Sequence, residues 1–88
     1  MKVKDGFLLR SFGGESIVVA VGEGSEDFNK LITLNSVGAF IFEKLRSETT
    51  RDELVNSIVE AYEVERPTAE KDADIFIEKL GEAGLLDD

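Results

Sequence analysis

The chain contains neither cysteine nor histidine. These residue types supply most zinc ligands and are the commonest nucleophile and general base of enzymes, so their absence excludes most zinc sites and much of nucleophilic and acid–base catalysis. A phosphate-binding loop of the G-x-x-x-x-G-K-S/T type is also missing. Asp72, Asp74 and Glu78 are spaced as acidic pairs, but carboxylates on an exposed helix lack the pocket that shifts a catalytic pKa. We therefore predict no catalytic residue, no metal site and no cofactor.

Long apolar runs are absent as well. No segment approaches the roughly 20 apolar residues that cross a bilayer, and residues 1–6 lack the apolar stretch of a signal peptide. The lack of cysteine is compatible with a reducing compartment. We expect a cytoplasmic protein that does not associate with membranes.

Basic residues are scarce, since 10 lysines and arginines face 19 acidic residues and the net charge is −9. The imbalance is concentrated in residues 43–88, which hold fourteen acidic and six basic residues, whereas residues 1–42 hold five and four. A helix that binds nucleic acid needs clustered Lys or Arg to neutralise phosphates. We expect no nucleic-acid partner. The acidic half either favours a basic partner or simply stays solvated.

The first third of the chain has the pattern of short β-strands. Residues 7–12 and 15–21 are rich in apolar and β-branched types and flank Gly13-Gly14. This pattern predicts a hairpin, because glycine adopts positive φ without steric cost. Residues 22–29 are polar and contain glycine, which indicates a loop, and residues 30–33 predict a third strand.

The first helix is predicted to begin after Asn35, a residue type that caps helices. Its apolar residues follow the spacing of one buried face, which we assign to Val37, Phe40, Ile41 and Leu45. Gly38 costs about 1 kcal/mol inside a helix, and the expected compensation is the close approach of a neighbouring element. Phe40 is accordingly expected in the core.

Two further helices follow. Thr50 and Glu53 fit a capping box, and Pro67 marks the start of the third helix, which we expect to end at Gly84 in the left-handed conformation. Its core face is assigned to Ala73, Phe76, Ile77 and Leu80. We therefore predict one domain, residues 1–88, of the α+β class. It is winged-helix-like, with a three-stranded antiparallel sheet followed by three helices.

Two segments carry a resemblance to a known family. Residues 34–45 read LNSVGAFIFEKL, and residues 82–86 read EAGLL at the end of the last helix. Together with the strands before them and the capped helices between them, they resemble the PqqD family of coenzyme pyrroloquinoline quinone biosynthesis. That family consists of small peptide-binding domains, also called RiPP recognition elements. The resemblance implies a non-catalytic adaptor, a peptide chaperone that holds the leader of a ribosomally made precursor peptide. A separate enzyme, typically a radical-S-adenosylmethionine (radical-SAM) protein, then modifies that peptide.

The resemblance also implies that the leader lies along the third strand, in a groove shared with the last helix. A free strand edge presents N–H and C=O groups to which a peptide adds as a further strand. The residues predicted to contact the peptide are Lys30, Leu31, Ile32, Thr33, Asp72, Ile75, Phe76 and Lys79. Ile75 is apolar and lies outside the main core stripe, so it either anchors the peptide or widens the core face.

Two other functions stay open from the residues alone. One is a winged-helix DNA-binding regulator, which the acidic charge disfavours, and the other is a small protein–protein interaction module with a different partner. A monomer and a homodimer, including one that exchanges the hairpin, are both compatible with the sequence.

Overall fold

Three helices and two antiparallel sheets form the part of the chain that the computed structural model describes, residues 1–21 and 32–87. In chain order the elements are β1 (Lys2–Val3), β2 (Phe7–Phe12), β3 (Glu15–Ala20), β4 (Ile32–Leu34), α1 (Ser36–Lys44), α2 (Arg51–Tyr62), α3 (Arg66–Glu82) and β5 (Leu86–Asp87). The three-stranded β2–β3–β4 sheet followed by three helices confirms the predicted α+β class.

The hairpin of β2 and β3 turns at Gly13-Gly14, as predicted. The two glycines have φ of 53° and 91°, and a type I′ turn needs positive φ at both central positions. Phe12 pairs with Glu15 beside the turn, and the antiparallel register continues along both strands. The turn therefore fixes the register of the hairpin.

β4 pairs antiparallel with β3 and lies at one edge of the described sheet. Its described residues, Ile32–Leu34, extend one position beyond the predicted end at Thr33, while Lys30 and Leu31 lie outside the described residues. Ile32 and Leu34 are buried and Thr33 between them is half-buried. This alternation is that of a sheet with one face on the core.

A second, two-stranded sheet, which the sequence does not predict, joins the two ends of the described chain. β1 pairs with β5, with Val3 opposite Leu86. Strands of two residues are too short to show alternation, so no sequence signal marks them. The chain folds back over the last turn of α3 before β5, because Gly84 has φ of 77° and the Leu85 N–H donates to the Leu80 carbonyl at 2.9 Å.

The buried face of α1 differs from the predicted one. The helix begins as expected, with Asn35 Oδ1 accepting from the Gly38 N–H at 2.9 Å. The face that enters the core is Gly38, Ile41, Phe42 and, at the end of the helix, Leu45. Val37 and Phe40 are only partly buried at its border, and the Phe40 ring packs edge-on against Tyr62 with centroids 5.4 Å apart. Phe40, predicted in the core, thus packs against it but is only partly buried. The predicted face is displaced because Gly38 lies on the true stripe and adds nothing to a hydrophobic pattern.

α3 approaches α1 closely at Gly38. A Cβ on Gly38 would lie 2.6 Å from Cε1 of Phe76, far inside the roughly 3.5–4.0 Å at which two carbons are in contact. The Phe76 ring is half-buried and packs against the core. The expected close approach of a neighbouring element at Gly38 is thus present, and it lets the ring rest on the backbone of α1.

α2 is capped as predicted and is joined to α3 by an arginine. The Thr50 and Glu53 side chains accept from each other's backbone N–H groups, both at 3.1 Å, and Pro67 lies in the first turn of α3. Arg51 donates through Nε and Nη2 to both carboxylate oxygens of Asp74, at 2.8 and 2.9 Å. This hydrogen bonding lowers the pKa of Asp74 and raises that of Arg51. A bidentate pair also restricts the rotation of α3 about its axis.

The two phenylalanines of α1 are predicted to differ in their contribution to stability. Phe42 is 0% exposed, so Phe42→Ala should lower the free energy of unfolding by about 3–5 kcal/mol. Phe40→Ala should lower it by roughly half as much, because part of that ring is already in water. Urea unfolding of the two variants measures both values. Equal losses would contradict the assignment of the buried face.

Substitution of Gly38 is predicted to destabilise the fold although alanine favours helices. Gly38→Ala gains about 1 kcal/mol of helix propensity, but its methyl group overlaps the Phe76 ring, and overpacking typically costs about 1–3 kcal/mol. The matched control is Gly81→Ala in α3, where the new Cβ lies 3.8 Å from the nearest atom, on Leu86. Thermal unfolding should show a lower melting temperature for Gly38→Ala and an equal or higher one for Gly81→Ala. A stabilised Gly38→Ala would mean that the Phe76 ring moves aside freely.

Candidate functional site

The backbone of Thr33 faces the open side of β4. Phe12 and Glu15 flank a two-residue turn and therefore form a hydrogen-bonded pair, and such pairs alternate along an antiparallel ladder. Ile17, two residues after Glu15, thus directs its N–H and C=O groups to β2. Thr33 lies opposite Ile17, so it directs both of its own groups away from β3. An added strand would pair with these groups.

Lys79 of α3 reaches this edge. Its Nζ donates a hydrogen bond to the Thr33 carbonyl oxygen at 2.8 Å and lies 5.9 Å from the centroid of the Phe76 ring, a cation–π distance. The bond spans 46 positions of sequence. α3 therefore runs beside the edge of β4 that no described strand covers, with Lys79 on the side that faces it.

The predicted stripe of α3 includes Lys79, the residue that reaches β4. Asp72, Ile75 and Lys79 follow a spacing of three and four residues and share a side of the helix, whereas Asp74 lies on the side held by Arg51 of α2. Ile75 is 49% exposed and Asp72 is half-buried. Ile75 is thus an exposed apolar side chain rather than an extension of the core face.

The predicted site residues on the third strand fall into different environments. Ile32 is 6% exposed and lies opposite Val18, so its side chain supports the strand from the core and its backbone groups point to β3. Thr33 alone among the described members presents its backbone to the open side. Lys30 and Leu31 lie outside the described residues. We call the backbone of Thr33 together with Asp72, Ile75, Phe76 and Lys79 the β4–α3 edge.

The described residues offer little for other kinds of chemistry. No group of three or more Asp or Glu side chains is placed to hold a metal ion within residues 1–21 and 32–87. A hollow of about 150 Å³ lies between Val3, Phe7, Val21 and Arg46 and shares no residue with the β4–α3 edge. Small-molecule sites typically enclose about 300–1,000 Å³, so this hollow is too small to be one. None of the described helices combines the length and apolar character that crossing a bilayer requires.

Two features of the edge have no local sequence signal. The contact of Phe76 with Gly38 and the bond from Lys79 to Thr33 each join residues that are far apart in the chain. Periodicity identifies the stripe of Asp72, Ile75 and Lys79, but it does not indicate which element that stripe faces. Only the tertiary structure shows that Lys79, one member of the stripe, reaches β4.

Comparison with known proteins agrees with this architecture. A solved structure of TbiB1 in complex with the TbiA(beta) leader peptide superposes with a TM-score of 0.74 and 26% sequence identity, covering 99% of this chain and 95% of that chain. No curated protein sequence matches significantly. The family model for coenzyme PQQ synthesis protein D (PqqD) matches residues 15–86. The chain belongs to the PqqD family.

Proposed function

We propose that this chain is a non-catalytic adaptor that binds the leader of a ribosomally made precursor peptide. The leader adds as a strand along β4, between that strand and α3, and a separate enzyme modifies the peptide. The observation that carries the proposal is the outward-facing backbone of Thr33, which is reached by Lys79 of α3, one helical turn from exposed Ile75. Membership of the PqqD family and the likeness to TbiB1, solved with a leader peptide, support it.

The edge provides the two components of strand addition. The N–H and C=O of Thr33 pair with the peptide backbone and supply affinity independent of sequence. Side chains of α3 supply selection, because an added strand directs alternate side chains toward one face of the sheet. Ile75 and Phe76 accept an apolar peptide side chain, while Asp72 and Lys79 contact polar ones. Ile32 remains a predicted contact of the peptide, as do Lys30 and Leu31, which lie outside the described residues.

The charge of the helices disfavours the alternative of a DNA-binding regulator. Arg51 is engaged by Asp74 and Glu70, and Arg66 forms an ion pair with Asp52. These cations are therefore neutralised within the fold and do not form a basic stripe that a phosphate backbone needs. The same acidic surface suits a basic region of the peptide or of the modifying enzyme.

The remaining partners follow from the adaptor role. We propose a radical-SAM protein as the modifying enzyme, a cytoplasmic location, where precursor peptides are made, and a single domain spanning residues 1–88. The proposal is compatible with either a monomer or a homodimer.

Ile75 provides the test of the peptide site. Ile75→Asp places a charge where an apolar anchor is proposed, so it should weaken binding of the leader peptide at least tenfold, about 1.4 kcal/mol. Because Ile75 is exposed, the free energy of unfolding should change by less than about 0.5 kcal/mol. Isothermal titration with synthetic leaders from short open reading frames beside the gene measures the affinity.

The matched control is Phe12→Asp. Phe12 is 61% exposed at the end of the hairpin and receives the same substitution away from α3, so its leader affinity should stay at the parent value. Equal weakening by both variants would indicate a general effect of charge, and unchanged affinity in Ile75→Asp would place the site elsewhere. A collapse in stability of Ile75→Asp would instead make that residue part of the core.

A further inference from the structure

Lys79 differs from the three arginines of the helical half in the partner it holds. Arg46, Arg51 and Arg66 each form an ion pair with a carboxylate. Lys79 takes part in none of the ion pairs among the described residues, and its ammonium group donates to the backbone carbonyl of Thr33 at 2.8 Å. A full positive charge therefore lies on the open edge of β4 without an opposite charge bound to it in the described part of the fold.

The Thr33 carbonyl, which accepts the hydrogen bond from Lys79, is also the carbonyl with which an added strand would pair. Thr33 directs its C=O away from β3, so a peptide strand along this edge donates a backbone N–H to the same oxygen. Lys79 Nζ already lies at full hydrogen-bond distance from that oxygen. A carbonyl oxygen can accept more than one hydrogen bond, so the added strand either shares this oxygen with the ammonium group or replaces it there. In both cases Lys79 keeps N–H donors available for another acceptor.

The surroundings of the Lys79 ammonium favour an acceptor on the peptide. The ammonium nitrogen lies 5.9 Å from the centroid of the Phe76 ring, and that ring rests against Gly38 of α1. Glu82, three residues further along α3, is not paired with Lys79 in this structure. A strand lying between β4 and α3 places the side chains of one of its faces next to Lys79. A carboxylate at that position gains a charge-assisted hydrogen bond.

Resting on the proposed function, we propose that Lys79 determines specificity at the β4–α3 edge by binding a carboxylate of the peptide next to the Thr33 carbonyl. One position of the peptide, next to Thr33 and pointing to α3, is then acidic. The other positions are neutral or basic, because the net charge of −9 opposes acidic residues elsewhere. A peptide without that carboxylate leaves the remaining N–H donors of Lys79 to water alone.

The first experiment identifies the preference without a known leader. A random-peptide library displayed on phage is selected against the wild type, Lys79→Met and Lys71→Met. Lys71 is an exposed lysine of α3 eight positions earlier, so its variant changes the net charge equally. Binders of the wild type and of Lys71→Met should share one fixed Asp or Glu among neutral or basic positions, and binders of Lys79→Met should lack it. Selection of the same acidic position by all three proteins would overturn the proposal.

The second experiment is a double-mutant cycle on the selected peptide. Its carboxylate is changed from Glu to Gln and its affinity is measured with the wild type and Lys79→Met. The Glu-to-Gln change should weaken binding to the wild type by about 2–5-fold more than binding to Lys79→Met, as for a solvent-accessible ion pair, and Lys79→Arg should retain the difference. If the Glu-to-Gln change weakens binding to the wild type and to Lys79→Met by the same factor, the proposed role of Lys79 is overturned.

The two levels of the proposal fail in distinguishable ways. Selected peptides should shift the backbone NMR resonances of Thr33 in the wild type. If they do so and the cycle shows no coupling, strand addition at β4 stands and the role of Lys79 is rejected. If no selected peptide perturbs Thr33, the peptide site itself is rejected and the role of Lys79 with it.

Discussion

The approach of α3 to α1 at Gly38 is the contact on which the arrangement of the site depends. Gly38 has no side chain, so the Phe76 ring occupies the space that a Cβ would take, and α3 comes near enough for Lys79 to reach Thr33. On the other side, Arg51 of α2 holds Asp74. The two contacts fix both the distance and the rotation of α3. Lys79 consequently reaches β4, and Ile75, one turn before it, is exposed rather than in the core.

The edge of β4 that no described strand covers is open to pairing with another chain. Outward N–H and C=O groups template the addition of any strand, and proteins commonly blunt such edges with lysine. Here the lysine comes from a neighbouring helix instead of the strand, and it covers the carbonyl of Thr33. Such a lysine hinders the addition of unrelated strands, and the strand addition that we propose has to share or displace this hydrogen bond.

Much of this arrangement follows from local sequence signals, and the rest depends on contacts between distant residues. Gly13-Gly14, Asn35, Thr50 and Gly84 mark the turn, the two helix caps and the helix end, because each position requires a particular backbone geometry or hydrogen bond. The sequence predicts the buried face of α1 only in part, because Gly38 lies at the centre of that face and has no apolar side chain to contribute to a hydrophobic pattern. The β1–β5 sheet is too short to leave a pattern. On α3 the spacing of Ile75 and Lys79 is visible in the sequence, but the contact of Lys79 with β4 is a property of the tertiary structure alone.

Amide hydrogen exchange of Thr33 tests the central claim of strand addition at β4 most directly. The Thr33 N–H points away from β3, so it should exchange readily in the free protein and become protected when a leader peptide saturates the site. The amides of Ile32 and Leu34 point to β3 and should change little, as should that of Ser11 on the outer edge of β2. Site-resolved exchange measured by NMR with and without peptide gives this comparison. Unchanged exchange at Thr33 in the saturated complex, or new protection at Ser11 instead, would contradict the account.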